Sequence, residues 1–275
     1  MTHQNATKIV LLGTGNPNAN PERSGPSVAI LVNESPYIVD FGPGVVRRAS
    51  AAGLKMADLT KAFLTHLHSD HTVGLPDLIF TPWVLGRETP LEIYGPVGIR
   101  SMTEHIISAY QADISERING LEPANREGYK LKVNEFKKGI FYENSDIKIE
   151  AFPVKHGIWK AYGFKFHTPD KVICISGDTA PDEKLVKYYR GCDILIHEVY
   201  SSKGFKNLPP PWKKYHSSVH TSTYELAKLA AYAKPKLLVL YHQLFWGVSE
   251  EELLYEIKER YEGVVISGKD LQIFT

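Results

Sequence analysis

The 275-residue sequence predicts an α/β fold in which two sheets are covered by outer helices. Three observations predict it. The opening is β-rich and broken by Gly/Pro/Asn turns, the second half alternates apolar strand-like runs with helical ones, and no clear interdomain linker, repeat or low-complexity tract divides the chain. Length alone would permit two domains, but α/β layers of this size often form one, so residues 1–275 are taken as a single domain.

Ile9–Gly13, Val28–Val32 and Tyr37–Asp40 have the pattern of strands, followed by a helix around Val45–Ala52. Ala62–Thr65 is a short apolar run consistent with a buried strand end, and Val73–Leu85 has helical apolar spacing. The residues between them therefore fall on a connecting loop. A strand at Leu91–Tyr94 and a helix around Ile99–Gln111 lead into a weakly periodic middle, Asp113–Asn134. Strands follow at Ile147–Pro153, Tyr162–Phe166 and Val172–Ser176, then a helix near Glu183–Arg190 and a strand at Ile194–His197. A helix from Thr223, a strand at Leu237–Leu240, a helix near Glu251–Arg260 and a strand at Val264–Ser267 complete the alternation. Ser222-Thr223-Tyr224-Glu225 and Ser249-Glu250-Glu251-Glu252 both match a capping box, which marks two helix starts. Ser201–Ser218 has the composition of a loop, with Lys203, Lys206, Lys213 and Lys214 interleaved with Phe205, Trp212 and Tyr215 and a run of three prolines, Pro209–Pro211.

A formal net charge of +1 supplies no global basic field to draw in a long nucleic acid, so anion recognition must be local. Cys174 and Cys192 fall in or beside apolar runs, where buried thiols in a reducing compartment are the default. The N-terminus, Met1–Lys8, is polar without an apolar signal core, and no apolar run approaches the ~18 residues of a membrane span. The expectation is a cytoplasmic protein without a membrane partner.

Phe63-Leu64-Thr65-His66-Leu67-His68-Ser69-Asp70-His71 packs three imidazoles and a carboxylate into an H-x-H-x-D-H pattern. At a strand end, residues one position apart point the same way, so His66 and His68 can hold one ion while the turn carries Asp70 and His71 toward a second. The plainer account, a polar loop that collected histidines, fits one histidine better than this pattern. Further ligands come from elsewhere in the chain: His156 ends one extended segment, Asp178 ends the run Lys171–Gly177, and His242 ends the run Lys236–Tyr241. Seven candidate ligands thus stand where strands give way to loops, the place where α/β folds put their chemistry.

This ordered set resembles the metallo-β-lactamase fold superfamily, and the resemblance extends over nearly the whole chain. Leu11-Leu12-Gly13-Thr14-Gly15-Asn16-Pro17 and Tyr37-Ile38-Val39-Asp40-Phe41-Gly42 resemble the branch containing ribonuclease Z and the arylsulfatase-like hydrolases. Arg23-Ser24-Gly25-Pro26-Ser27 and Thr81-Pro82-Trp83-Val84-Leu85-Gly86-Arg87 look closest to the arylsulfatase-like group. The resemblance implies an αββα sandwich and two zinc ions per chain, with Mn2+ or Fe2+ as other candidates. Carried over at matching positions, His66, His68 and His156 hold one ion, Asp70, His71 and His242 the other, and Asp178 bridges. Two such ions roughly 3.5–4 Å apart can share a bridging hydroxide and clamp the oxygens of an ester. The family pattern also implies that Asp70 holds the nucleophile's proton. A histidine just before the helix at Thr223 is implied as proton donor or phosphate contact; His220 resembles it with one residue more spacing, while a helix-entry histidine with only a structural hydrogen bond is the alternative. His197-Glu198 resembles the family's His-Glu dipeptide, either member of which could support the ligands.

The expected activity is hydrolysis of a small anionic ester, an aryl sulfate or a phosphodiester. The first alternative is a ribonuclease Z-like tRNA 3′-processing endonuclease, against which the short interval between His156 and Asp178 counts, because that family usually carries a long Gly/Pro/Lys-rich arm there. On that ground a long nucleic acid is not expected as partner; a homodimer stays open. A di-iron redox protein would prefer a carboxylate in place of His68, and a non-catalytic metal-binding module would be expected to lose ligands. His216 is taken as a loop histidine, His3, His105 and His167 as solvated or edge residues, and Trp83 as core. The lysine-rich loop is weighed evenly between a lid that stacks on a substrate ring and an exposed loop without function.

Overall fold

A computed structural model describes residues 7–275; residues 1–6, and with them His3 and most of the polar start, lie outside the described residues. The chain divides into two compact units, each built from discontinuous segments. The first comprises Lys8–Gly13, Pro17–Phe136 and Asp270–Thr275, the second chiefly Thr14–Asn16 and Lys137–Lys269.

In the first unit, β1 (Lys8–Gly13), β2 (Ser27–Val32) and β3 (Ser35–Val39) precede α1 (Val45–Ala51) and β4 (Lys61–Phe63). Two helices follow, α2 (Ser69–Thr72) and α3 (Leu75–Val84), then β5 (Leu91–Gly95), α4 (Ile99–Ala109), α5 (Gln111–Asn119) and β6 (Leu131–Glu135). In the second unit come β7 (Gly139–Glu143), β8 (Lys148–Val154), β9 (Ala161–His167), β10 (Val172–Ile175), α6 (Val186–Tyr189) and β11 (Ile194–Tyr200). They continue with α7 (Ser202–Phe205), α8 (Pro210–Val219), α9 (Thr223–Ala233), β12 (Leu237–Leu244), α10 (Glu250–Lys258) and β13 (Val265–Ser267). The last strand, β14 (Ile273–Phe274), returns to the first unit and pairs with β1.

Each unit holds one seven-stranded mixed sheet, in the orders β14-β1-β2-β3-β4-β5-β6 and β13-β12-β11-β10-β9-β8-β7. Pairing from β3 to β6 is parallel, as is pairing from β10 to β13. Parallel pairing leaves both faces of an inner strand covered, and every residue of β11, which pairs in parallel on both sides, is buried, His197 and Glu198 included. In the first unit, Val45, Val46 and Ala49 of α1 and Leu75, Leu78 and Ile79 of α3 join the core that includes Val10, Ala29, Ile38 and Ile93. The second core joins Leu226, Ala230 and Ala233 of α9 and Leu253 and Ile257 of α10 to Leu195, Leu238 and Leu240. Both capping boxes form as expected, Ser222 with Glu225 and Ser249 with Glu252.

Three expectations are corrected. The helix expected from Val73 begins at Leu75, and Asp70 and His71 stand not on a loop but on the single turn of α2. The weak middle contains α5, held by an Arg117–Asp113 pair four residues apart, and the edge strand β6. Ser201–Ser218 is mostly helical: Ser201 caps α7 and Pro210 and Pro211 open α8, where proline costs nothing because the first N–H groups of a helix lack partners within it. His216 is therefore helical. Trp83 is core, as expected, with its indole N–H donated to the Asn125 carbonyl at 2.8 Å. Arg87, from the same motif, is fully buried and donates to the carbonyls of Leu59, Leu78, Ile79 and Gly128, while burial pulls its guanidinium down to about 10. Cys174 and Cys192 are buried free thiols. Among the described residues, no helix is long and apolar enough to cross a membrane.

Candidate metal centre

In the first unit β3 and β4 lie side by side, Ile38 opposite Ala62 and Val39 opposite Phe63, so the segments that follow them leave one edge of the sheet together. The Phe41 N–H donates to the His71 carbonyl at 2.9 Å. Gly42 is required there, because a Cβ on it would stand 2.5 Å from the Asp70 carbonyl oxygen. His66 Nε2 and His68 Nδ1 come within 3.1 Å, the His66 and His71 rings lie 4.2 Å apart, and His71 Nε2 is 3.6 Å from Asp70 Oδ2. His66 and His68 thus present ring nitrogens to each other, and His71 presents one to the Asp70 carboxylate.

The residue that orients them is Asp40, which carried no role in the sequence reading. Its Oδ1 accepts the Thr65 backbone N–H at 2.8 Å, and its Oδ2 lies 2.8 Å from His71 Nδ1. Thr65 Oγ1 donates to the same carboxylate and approaches His66 Nδ1 at 3.0 Å. A carboxylate only accepts, so His71 carries its proton on Nδ1, and Nε2 is the nitrogen that could take an ion. Asp40 is buried and held at φ 55°, a left-handed conformation that a non-glycine residue adopts only under constraint. Asp40→Asn, which turns an N–H₂ or a weaker acceptor toward His71, is expected to weaken metal affinity about 10- to 100-fold. Competition with a chromophoric chelator measures it; unchanged affinity would make Asp40 a purely structural anchor.

In the second unit β10, β11 and β12 are parallel, and β8 runs the same way with antiparallel β9 between. The C-terminal ends of these strands therefore share one sheet edge, where His156, Asp178, Glu198 and His242 stand. Asp178 Oδ2 lies 3.4 Å from His242 Nε2, 3.9 Å from His156 Nε2 and 4.0 Å from His220 Nδ1. The two longer separations exceed hydrogen bonds. Ligand atoms ~2.0–2.1 Å from a tetrahedral ion sit ~3.3 Å from one another, so this spacing suits donors grouped around a cation. His156 donates Nδ1–H to the Val219 carbonyl at 2.8 Å, which again leaves Nε2 for an ion. Asp178, His220 and His242 offer ligand atoms within 4.8 Å of one another, all buried. The donor set is imidazole and carboxylate without thiolate, which zinc, manganese and iron all accept.

Glu198 and His197 separate by strand alternation. Glu198 turns to the site: its Oε1 accepts from the backbone N–H of Thr221 at 2.8 Å and of Thr179 at 3.3 Å, and its Oε2 stands 3.3 Å from His220 Nδ1. Burial, then the charge of Asp178, pushes its carboxyl well above the usual range. His197 turns the other way, onto the Tyr189 ring at 5.6 Å, and donates from Nδ1 to the Glu198 carbonyl. Burial pulls its imidazole down to about 4. His220 sits where α8 ends, just before the capped start of α9. His105 is exposed on α4, and burial at the end of β9 lowers the His167 imidazole.

A sequence profile described as Anti-Pycsar protein Apyc1 matches residues 7–245. Ribonuclease Z of Mycobacterium bovis (strain BCG / Pasteur 1173P2) is 32% identical over 270 residues, 96% of this chain and 96% of its own. The solved metallo-β-lactamase fold protein YhfI of Bacillus subtilis superposes with a TM-score of 0.78 at 16% identity, covering 98% of this chain and 100% of its own. The short form of human tRNase Z superposes with a TM-score of 0.74 at 22% identity, covering 98% of each chain. The mycobacterial relative bears the name of a ribonuclease, which conflicts with the expectation that a long nucleic acid is not a partner. The arylsulfatase side of the resemblance rests on its sequence motifs alone. The chain belongs to the Anti-Pycsar protein Apyc1 family and, with ribonuclease Z, to the metal-dependent hydrolases of the metallo-β-lactamase fold.

Proposed function

We propose that the chain is a binuclear-metal phosphodiesterase. His66, His68 and His156 are assigned to one ion, Asp70, His71 and His242 to the second, and Asp178 to the bridge. The observation that supports this best is the buried Asp178 oxygen with imidazole nitrogens of His242, His156 and His220 at 3.4–4.0 Å around it. When bound, two such ions neutralise the charge that develops on a phosphoryl group and make a nucleophile available at neutral pH. The chain's own groups do the rest. Asp40 and Val219 fix which nitrogen of His71 and His156 faces inward, Glu198 stands beside His220 Nδ1, and Asp70 takes the nucleophile's proton. We assign the residues of both units to one functional domain and a cytoplasmic setting.

A phosphodiester is preferred to a sulfate ester because the relative at 32% identity is named for cleaving RNA. The turn from Gly157 to Lys160, joining β8 to β9, supplies no arm of the kind the tRNA reading needs. Metal analysis of the purified protein, paired with an ester panel, tests the proposal. The expected result is two equivalents of transition metal, zinc foremost, with hydrolysis of bis(p-nitrophenyl) phosphate and none of p-nitrophenyl sulfate. A single equivalent at full activity, or turnover of the sulfate alone, would overturn it.

A further inference from the structure

The pairing of β12 with β11 skips a residue at His242. Leu240 lies opposite His197, Tyr241 opposite Glu198 and Gln243 opposite Val199, so His242 is an extra residue, a β-bulge. The two faces of this strand pair differ. Leu238, Leu240 and Val199 pack in the second core with Leu226 and Ala230 of α9 and Leu253 and Ile257 of α10, whereas Glu198 turns to the site. In an uninterrupted strand the residue after Tyr241 would stand opposite Val199 and follow Leu240 onto the helix-covered face. The bulge instead leaves His242 Nε2 3.4 Å from Asp178 Oδ2. His242 takes this place at φ 45°, a left-handed conformation that a non-glycine residue keeps only where its surroundings impose it.

The restraint acts on the next residue. The Gln243 carbonyl accepts a hydrogen bond from Asn16 Nδ2 at 2.7 Å, and its side-chain Oε1 accepts one from Ser267 Oγ at 2.8 Å. Gln243 is buried, Ser267 ends β13, and Asn16, in the run Leu11–Pro17, belongs with both to the second unit. We propose that Asn16 and Ser267 are positioning residues for His242: they hold Gln243 at its main chain and at its side chain, and through it keep the bulge that turns the imidazole toward Asp178. This rests on the assignment of His242 as a metal ligand in the phosphodiesterase reading. Both residues act at one remove, since each bonds to Gln243 and leaves the His242 ring to the ion. A bond that served the fold alone would matter equally with and without that imidazole, and this difference makes the role measurable.

The test measures zinc affinity of the metal-free protein by competition with a chromophoric chelator, so it needs no turnover. Wild type, Asn16→Ala, Ser267→Ala and His242→Ala are compared with the two double variants that combine His242→Ala with each of the others. Asn16→Ala is expected to weaken zinc binding about 10- to 100-fold, the usual effect of removing a group that orients a ligand, and Ser267→Ala to weaken it by less. Beside His242→Ala, each should change the affinity by less than about twofold, because residues that act through one ligand are not additive with its loss. Should Asn16→Ala fail to fold, Ser267→Ala carries the same comparison. Unchanged affinity in the folded single variants, or losses that persist undiminished beside His242→Ala, would overturn the positioning role. Wild-type affinity in His242→Ala would instead overturn the assignment of His242 as a ligand, on which the inference rests.

Discussion

Asp178→Ala is expected to lower the rate of phosphodiester hydrolysis more than about 10³-fold and to remove at least one metal equivalent, because it deletes the carboxylate among the His156, His220 and His242 nitrogens. Stability should move differently. Burial and the Asp178 charge together hold the Glu198 carboxyl well above its usual range, so in the metal-free chain Asp178 competes with a Glu198 carboxylate. Deleting one relieves that competition, and the melting temperature of the metal-free variant should match or exceed that of the metal-free wild type. If Asp178 were instead a turn cap after Gly177, its loss would cost about 1 kcal/mol and leave activity in place. His105→Ala, which removes one exposed contact to the Ser101 carbonyl on α4, should keep full activity. Equal losses in the two variants would remove the site assignment.

The candidate ligands were legible because each follows an apolar run, and strands running the same way in a sheet bring such ends to a common edge whatever their separation in sequence. His156, Asp178 and His242 are spread over 87 residues of chain numbering, from 156 to 242, yet the register of β8, β10, β11 and β12 gathers them. Asp40 was not legible as an anchor. A single aspartate after a strand is common, and the groups that give it meaning, Thr65 and His71, lie 25 and 31 positions away. The difference between His197 and Glu198 could have been read, since neighbours on a strand face opposite ways, but a strand buried on both faces gives no polarity cue to which side is which. Helix α8 was hidden by the run Pro209–Pro211 at its start and by its lysines. The signal was present: proline at the first helical positions, then Trp212, His216 and His220 at four-residue spacing. β6 and β7 were missed because they are sheet edges, where half-exposed residues blur the apolar pattern that marks inner strands.

His220→Ala is expected to slow hydrolysis of esters with poor leaving groups, such as alkoxides, by about 10²- to 10⁴-fold, the usual contribution of a positioned general acid. Esters of p-nitrophenol should lose less than about tenfold, because a stable leaving anion needs little protonation. The geometry supplies the reason. His220 Nδ1 stands 3.3 Å from Glu198 Oε2, and Glu198 is itself fixed by the N–H groups of Thr179 and Thr221, the neighbours of Asp178 and His220 in the chain. On the proposed reading His220, placed beside Glu198 at the sheet edge, gives its proton to the departing oxygen. Glu198→Gln, which keeps the shape and removes the carboxyl group, should reproduce the same dependence on leaving group in weaker form. Metal content should be unchanged in both variants. Loss of an equivalent in His220→Ala would make His220 a ligand, as its 4.0 Å approach to Asp178 allows, and a uniform rate loss across leaving groups would make it an anion contact instead of an acid.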